Sequence, residues 1–112
     1  MKNLTVFSVF VLVAATATAQ TRTGVTHITK LGTGWSADSV YVILSNALPN
    51  PAGCTYNDLI AMDSNTPGYK THYANFLTAF SLDKSVDVIV SNTSCAGSAG
   101  NTRPQVIGIE TQ

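Results

Sequence analysis

Residues 69–82 have the sequence YKTHYANFLTAFSL, and this stretch decides how the rest of the chain is interpreted. Its large apolar residues recur at helical spacing and fall on one face: Tyr69, Tyr73, Phe76, Leu77 and Phe80. Pro67 precedes the stretch, and proline is common in the first turn of a helix. The spacing therefore predicts a helix over about residues 67–82 whose aromatic stripe packs against a core.

Short segments rich in β-branched and aromatic residues lie on both sides of this helix, and they are typical of strands. We expect three strands before the helix and two after it: Val25–Leu31, Ser39–Ser45, Leu59–Asp63, Val86–Val90 and Val106–Ile109. Residues 20–24 are polar and are predicted to form a loose arm. Residues 91–102 are rich in Ser, Asn and Gly and are predicted to form a loop.

The resulting order β-β-β-α-β-β is the element order of the OB-fold, a five-stranded, partly open Greek-key barrel. Rolling the sheet leaves fewer bare edges and lets the helix plug one end of the barrel. The fold class is therefore predicted to be mainly β with one helix, in an OB-fold-like five-stranded barrel. The alternative is an open α+β sheet with the helix covering one face.

Cys54 and Cys95 are the only cysteines in the chain. In an oxidising compartment an isolated pair most simply forms one disulfide. Such a bridge closes a loop of about 41 residues and stabilises the fold by roughly 4 kcal/mol in the chain-entropy model. The alternative, a metal site, needs further ligands, and His27 and His72 are isolated in sequence. We therefore expect a disulfide and no metal or other cofactor.

The first 19 residues have the pattern of a secretory signal peptide. Lys2 supplies a positive charge, Leu4–Ala15 is almost entirely apolar, and Ala17 and Ala19 are small residues suited to cleavage before Gln20. The alternative, a membrane anchor, needs about 20 apolar residues, and this run is shorter. We expect residues 1–19 to be removed and residues 20–112 to form one disulfide-closed domain. The protein is then secreted or periplasmic, with no membrane span.

The charges of the mature chain are few and scattered. Residues 20–112 carry five Lys and Arg residues against six Asp and Glu residues, a net charge of −1. A nearly neutral chain lacks the basic patch that nucleic acids or anionic lipids attract. We therefore expect no nucleic-acid partner.

The chain resembles the B subunits of secreted AB5-type toxins, the subtilase-cytotoxin and pertussis-like group. The resemblance is carried by Gly53-Cys54, by the helix at Tyr69–Leu82 continuing into Asp83–Val90, and by Ser94-Cys95. The chain is also similar to small bacterial exported proteins that share the Asn50–Cys54 segment. The toxin resemblance implies a homo-oligomer, a pentamer, that binds host or cell-surface glycans beside a secreted partner subunit.

No catalytic constellation is visible in the sequence, so we expect no enzymatic activity. The candidate binding residues are Trp35, Asp38 and Ser39, because an exposed aromatic ring beside polar groups can stack on a sugar. The alternative is that Trp35 anchors the end of the barrel. The predicted function is a secreted glycan-binding module. The alternative function is a periplasmic accessory or structural protein without a small ligand.

Overall fold

The computed structural model describes residues 20–34 and 38–112. The predicted signal peptide, residues 1–19, and Trp35 lie outside the described residues. Within these ranges seven elements follow one another: β1 (Thr21–Thr26), β2 (Ile28–Thr33), β3 (Ser39–Leu44), β4 (Ile60–Asp63), α1 (Tyr69–Ser81), β5 (Val86–Ser98) and β6 (Asn101–Thr111). This part of the chain is mainly β with one helix, as predicted.

The strands of the described residues form one sheet in the order β1-β5-β6-β4-β3-β2. Neighbouring strands run antiparallel, except β4 and β6, which are parallel at Ala61 and Gln105. The two edge strands, β1 and β2, are consecutive in the chain and are separated only by His27. The two edges of the sheet therefore meet at this one corner.

The sheet is open, which corrects the predicted five-stranded barrel in both strand number and closure. No backbone pairing joins β1 to β2 in the part of the chain that the structure describes. Near the corner a side chain bridges instead: Asn46 Nδ2 donates to the carbonyl oxygens of Thr23 and Val25, both at 3.2 Å. The Asn46 backbone N–H also donates to Thr26 Oγ1 at 3.1 Å. The alternative prediction, an open α+β sheet with one helix, describes this arrangement.

Two predictions fail at the N-terminal edge. The predicted strand Val25–Leu31 is two strands, and residues 21–24 of the predicted loose arm belong to the first of them. The strand forms because Thr21 pairs with Val90 of β5, while Arg22 contacts Asp87 at 3.5 Å and Glu110 at 2.9 Å. Polar composition alone does not reveal these cross-strand partners.

The predicted loop over residues 91–102 is also wrong, since β5 and β6 continue through it as a hairpin. Ser98 pairs with Asn101 at its tip. Gly97 and Gly100 both have positive φ, of 109° and 78°, a conformation that glycine adopts without steric cost. This hairpin is rich in polar residues because much of it faces solvent, and for that reason its sequence has the composition of a loop.

The core lies on the inner face of the sheet, under α1. Its buried members come from every element except β1: Ile28, Val40, Val42, Leu44, Ile60, Met62, Phe76, Ala79, Val86, Val88, Val90 and Val106. The helix contacts β2 and β6. It therefore covers the sheet through a narrow face and leaves much of its own surface in solvent.

The helix prediction is confirmed for its position and only partly for its stripe. Phe76 and Ala79 are buried, and Tyr69 and Tyr73 pack half-buried against the core. Phe80 remains 44% exposed, and so does Leu77. Each of these two residues follows a buried one, and a step of one residue turns a helix by about 100°, so both point away from the sheet.

The Cys54–Cys95 disulfide is present, with the two Cα atoms 5.8 Å apart across a sequence separation of 41 residues. It ties the connection between β3 and β4 to the middle of β5. This bridge was predicted from the presence of two cysteines in a chain expected to be exported, and the prediction is confirmed.

Candidate functional site

The outer face of the sheet carries a second, smaller group of apolar residues. Side chains alternate along a strand, so Tyr41 and Ile43 of β3 lie opposite the core residues Val40, Val42 and Leu44. They pack with Leu59, Ala61 and Ala96. The outer face of β3 and β4 is therefore partly apolar.

Arg103 of β6 is a buried cation on this side of the molecule. Its Nε donates to Asp58 Oδ1 at 2.6 Å, and its Nη1 donates to Asn101 Oδ1 at 2.6 Å. The guanidinium lies over the Tyr56 ring, 4.3 Å from its centroid. Only 7% of the Arg103 side chain is exposed, against 63% of Asp58. The ion pair and the hydrogen bond to Asn101 therefore hold the guanidinium in one orientation, because a buried charge is costly without such charge-assisted contacts.

The segment that supplies Tyr56 and Asp58 is fastened to β6 next to Arg103. The Thr55 backbone N–H donates to Thr102 Oγ1 at 2.9 Å, and the Thr102 backbone N–H donates to Thr55 Oγ1 at 3.2 Å. The Tyr56 backbone N–H donates to the Thr102 carbonyl oxygen at 3.1 Å. Cys54, at the start of this segment, is held by the disulfide. These contacts place one wall of the site.

Two cavities share Arg103, and we call them together the Arg103 groove. The first, of about 340 Å³, is lined by several polar side chains: Asp38, Asp63, Asn65, Ser98, Asn101 and Arg103. The second, of about 330 Å³, has the apolar floor Tyr41, Ile43 and Leu59 with Lys30, Asp58 and Arg103 at its rim. An apolar floor with a few fixed polar groups is the usual build of a small-ligand site.

Gly32 gives the Tyr41 ring its position in the second cavity. The two residues are paired across β2 and β3. A Cβ atom at position 32 would lie 2.1 Å from Tyr41 Cζ, so any other residue displaces the ring. Because Gly32 has no side chain, the Tyr41 ring can lie across β2 at this position.

The pKa of Tyr69, at the start of α1, is affected by two carboxylates that line the first cavity. Burial raises the pKa of its phenol above the ordinary value of 10.0, and the negative charge of Asp38 raises it further, followed by smaller effects of Tyr73 and Asp63. Both carboxylates thus act on one phenol although they come from different parts of the chain.

The structure brings two of the three predicted site residues to the first cavity. Asp38 and Ser39 line it, at the start of β3, whereas Trp35 lies outside the described residues. Their role in binding stays a prediction. Sequence reasoning missed Lys30, Asp58 and Arg103. One signal was present for the last of these, because Arg103 is the single Lys or Arg after Lys84.

Within residues 20–34 and 38–112 no group of three or more His, Cys, Asp or Glu side chains is placed to hold a metal ion. No helix in the described part of the chain has the length and apolarity to cross a membrane. Comparison of the chain with protein-family models, curated proteins and solved structures gives no match.

Proposed function

We propose that this protein is a secreted, non-catalytic binding module that holds a saccharide in the Arg103 groove. The observation that carries the proposal is the pairing of two adjoining cavities around one buried, immobilised arginine. Sugars present apolar CH faces and a periphery of hydroxyls. The Tyr41 ring in the second cavity can pack against the CH face of a sugar, and the carboxylates and amides around the groove can form hydrogen bonds with its hydroxyl groups.

The position of the groove in the strand order supports this interpretation. If β1 and β2 are the two halves of one bent first strand, the remaining order matches that of an OB-like sheet, with β3 and β4 as its second and third strands. OB-folds bind oligosaccharides on the face of those two strands, between the first and the last strand connections. The Arg103 groove lies on that face, with Asp38 at the start of β3 and the tip of the β5–β6 hairpin among its lining. The proposed kinship with toxin B subunits, which rests on the sequence segments named above, agrees with the same correspondence.

Export is part of the proposal. A disulfide between Cys54 and Cys95 is typical of proteins that fold in oxidising compartments, and it agrees with the predicted signal peptide. We therefore place the protein outside the cytoplasm, in the periplasm or the medium.

Exposed apolar side chains on the helix support assembly into a homo-oligomer, with a pentamer as the form that the resemblance implies. Phe80 and Leu77 are each 44% exposed and Leu82 is 61% exposed, all within six residues. Light scattering on the purified protein measures the assembly directly. A ring-sized particle supports this part of the proposal, whereas a monomer favours the alternative, an accessory protein that acts alone.

A glycan array probed with the exported protein tests saccharide binding, with Lys30→Ala as the site variant. Lys30 lines the second cavity, whereas Lys84 is exposed and lies outside both cavities, so Lys84→Ala removes the same charge elsewhere. We expect the wild type and Lys84→Ala to bind the same saccharides and Lys30→Ala to lose roughly tenfold or more in affinity. An array without signal overturns the proposal, and equal loss in both variants moves the site away from the groove.

A further inference from the structure

The charges around the first cavity of the Arg103 groove are unevenly distributed. Two carboxylates line it, those of Asp38 and Asp63, and Arg103 is the cation among its described lining residues. Lys30, the other cation of the groove, lines the second cavity. The ligand in the first cavity therefore meets acidic groups from two strand ends and basic charge from one side chain.

The positive charge of Arg103 is already compensated. Its Nε lies 2.6 Å from Asp58 Oδ1, and the side chain is almost fully buried. An anion that enters the first cavity therefore gains little from this guanidinium. To pair with it, the anion has to compete with a carboxylate held in place by the Cys54–Cys95 bridge and the Thr55–Thr102 contacts.

The two carboxylates of the cavity lie outside the ion pairs of the described residues. Within residues 20–34 and 38–112, neither Asp38 nor Asp63 takes part in a salt bridge. Asp63 Oδ1 accepts a hydrogen bond from the Asn65 backbone N–H at 3.0 Å, and this bond fixes the orientation of its carboxylate. Asp38 is exposed at the mouth. The raised pKa of Tyr69 agrees with negative charge at this end of the groove.

A pair of such carboxylates discriminates between ligands by charge. Carboxylates accept hydrogen bonds from hydroxyl groups and attract ammonium groups, whereas they repel carboxylates and sulfates at close range. Repulsion of the wrong ligand gives a binding site specificity in addition to that from good contacts with the right one.

We infer that Asp38 and Asp63 make the first cavity selective for neutral or amino-substituted saccharides and exclude acidic ones. This inference rests on the proposed function, since it names the substrate class of the same site. It assigns to Asp38 and Asp63 the role of specificity-determining residues that also accept hydrogen bonds from the sugar.

The test compares, on a glycan array, each saccharide that carries a carboxylate or sulfate with the uncharged saccharide of the same backbone. We expect the uncharged and amino forms to bind roughly tenfold more tightly at low salt, with the difference shrinking as salt screens the charges. Asp38→Asn is expected to reduce this preference. Asp63→Asn is a second variant that keeps an oxygen for the Asn65 N–H. Glu110→Gln removes the same charge at a position outside both cavities and is expected to leave the preference unchanged.

Equal or tighter binding of the acidic forms by the wild type overturns the inference and leaves saccharide binding standing. The same preference in the wild type and both Asp variants also overturns it, since the selectivity then arises elsewhere. An array without any signal overturns the proposed function, and the inference falls with it.

Discussion

Replacing Phe76 by alanine tests whether α1 covers the core through the narrow face described above. Phe76 is 1% exposed and is among the largest fully buried side chains. A buried Phe→Ala change costs about 3–5 kcal/mol, because it removes apolar contact and leaves a cavity. For a domain of this size, 1 kcal/mol shifts the melting temperature by about 4–8 °C, so we expect a fall of at least 12 °C.

Phe80→Ala is the matched control, since the same atoms are removed four residues along the same helix. Phe80 is 44% exposed. Fully burying a Phe side chain contributes about 1.5–3 kcal/mol, so losing roughly half of that burial costs about 1 kcal/mol. Urea denaturation followed by circular dichroism gives both values, provided that the slope of the transition is unchanged. Equal losses of stability in the two variants would refute the assignment of the helix face.

Three further results are expected from the same chain. Reducing the Cys54–Cys95 bridge, or replacing both cysteines by serine, is expected to destabilise the fold by about 4 kcal/mol; identical melting curves for the oxidised and reduced protein would contradict this. Asn46→Ala removes the side-chain bridge to β1, so we expect it to lower the free energy of unfolding by about 1–3 kcal/mol and to speed amide hydrogen exchange in β1. The control is Asn75→Ala, at an exposed position of the helix, which is expected to have little effect. Unaltered hydrogen exchange in the Asn46 variant would show that β1 is held at the corner without this side chain. The pKa of Tyr69 is raised in the folded state, so the unfolded chain loses its phenol proton at a lower pH than the folded chain does. The stability that Tyr69 contributes is therefore fully present below pH 10 and falls as the pH rises above it. If a Tyr69→Phe variant loses stability equally steeply, Tyr69 is not the cause.

The parts of the fold that follow from local patterns were predictable. The helix over residues 69–81 has a 3.6-residue period, and its register is visible in the sequence alone. The disulfide follows from two cysteines in an exported chain. The predicted apolar stripe wrongly included Leu77 and Phe80 as packed residues. The spacing of apolar residues shows which side of the helix is apolar, but it does not show how much of that side the sheet covers.

The parts that depend on distant contacts were not predictable. Residues 95–98 of the predicted loop are held as a strand by pairing with β6 and by the bridge at Cys95, and neither leaves a hydrophobic period in the sequence. The same holds for the groove, where Asp58 meets Arg103 across 45 residues of chain. Asp38 and Ser39 were selected because they neighbour Trp35, and the structure places both in the lining of the first cavity of the groove.

Chemical-shift mapping tests the central claim, that the Arg103 groove is the binding surface. The exported protein, labelled with ¹⁵N, is titrated with chitosan oligosaccharides, whose amino groups suit the acidic first cavity. We expect the largest shifts at the backbone amides of Ser64, Asn65, Gly97 and Ser98, which line that cavity, with the amides of α1 unchanged beyond its first turn. Shifts confined to the helix, or no shifts anywhere, would contradict the account.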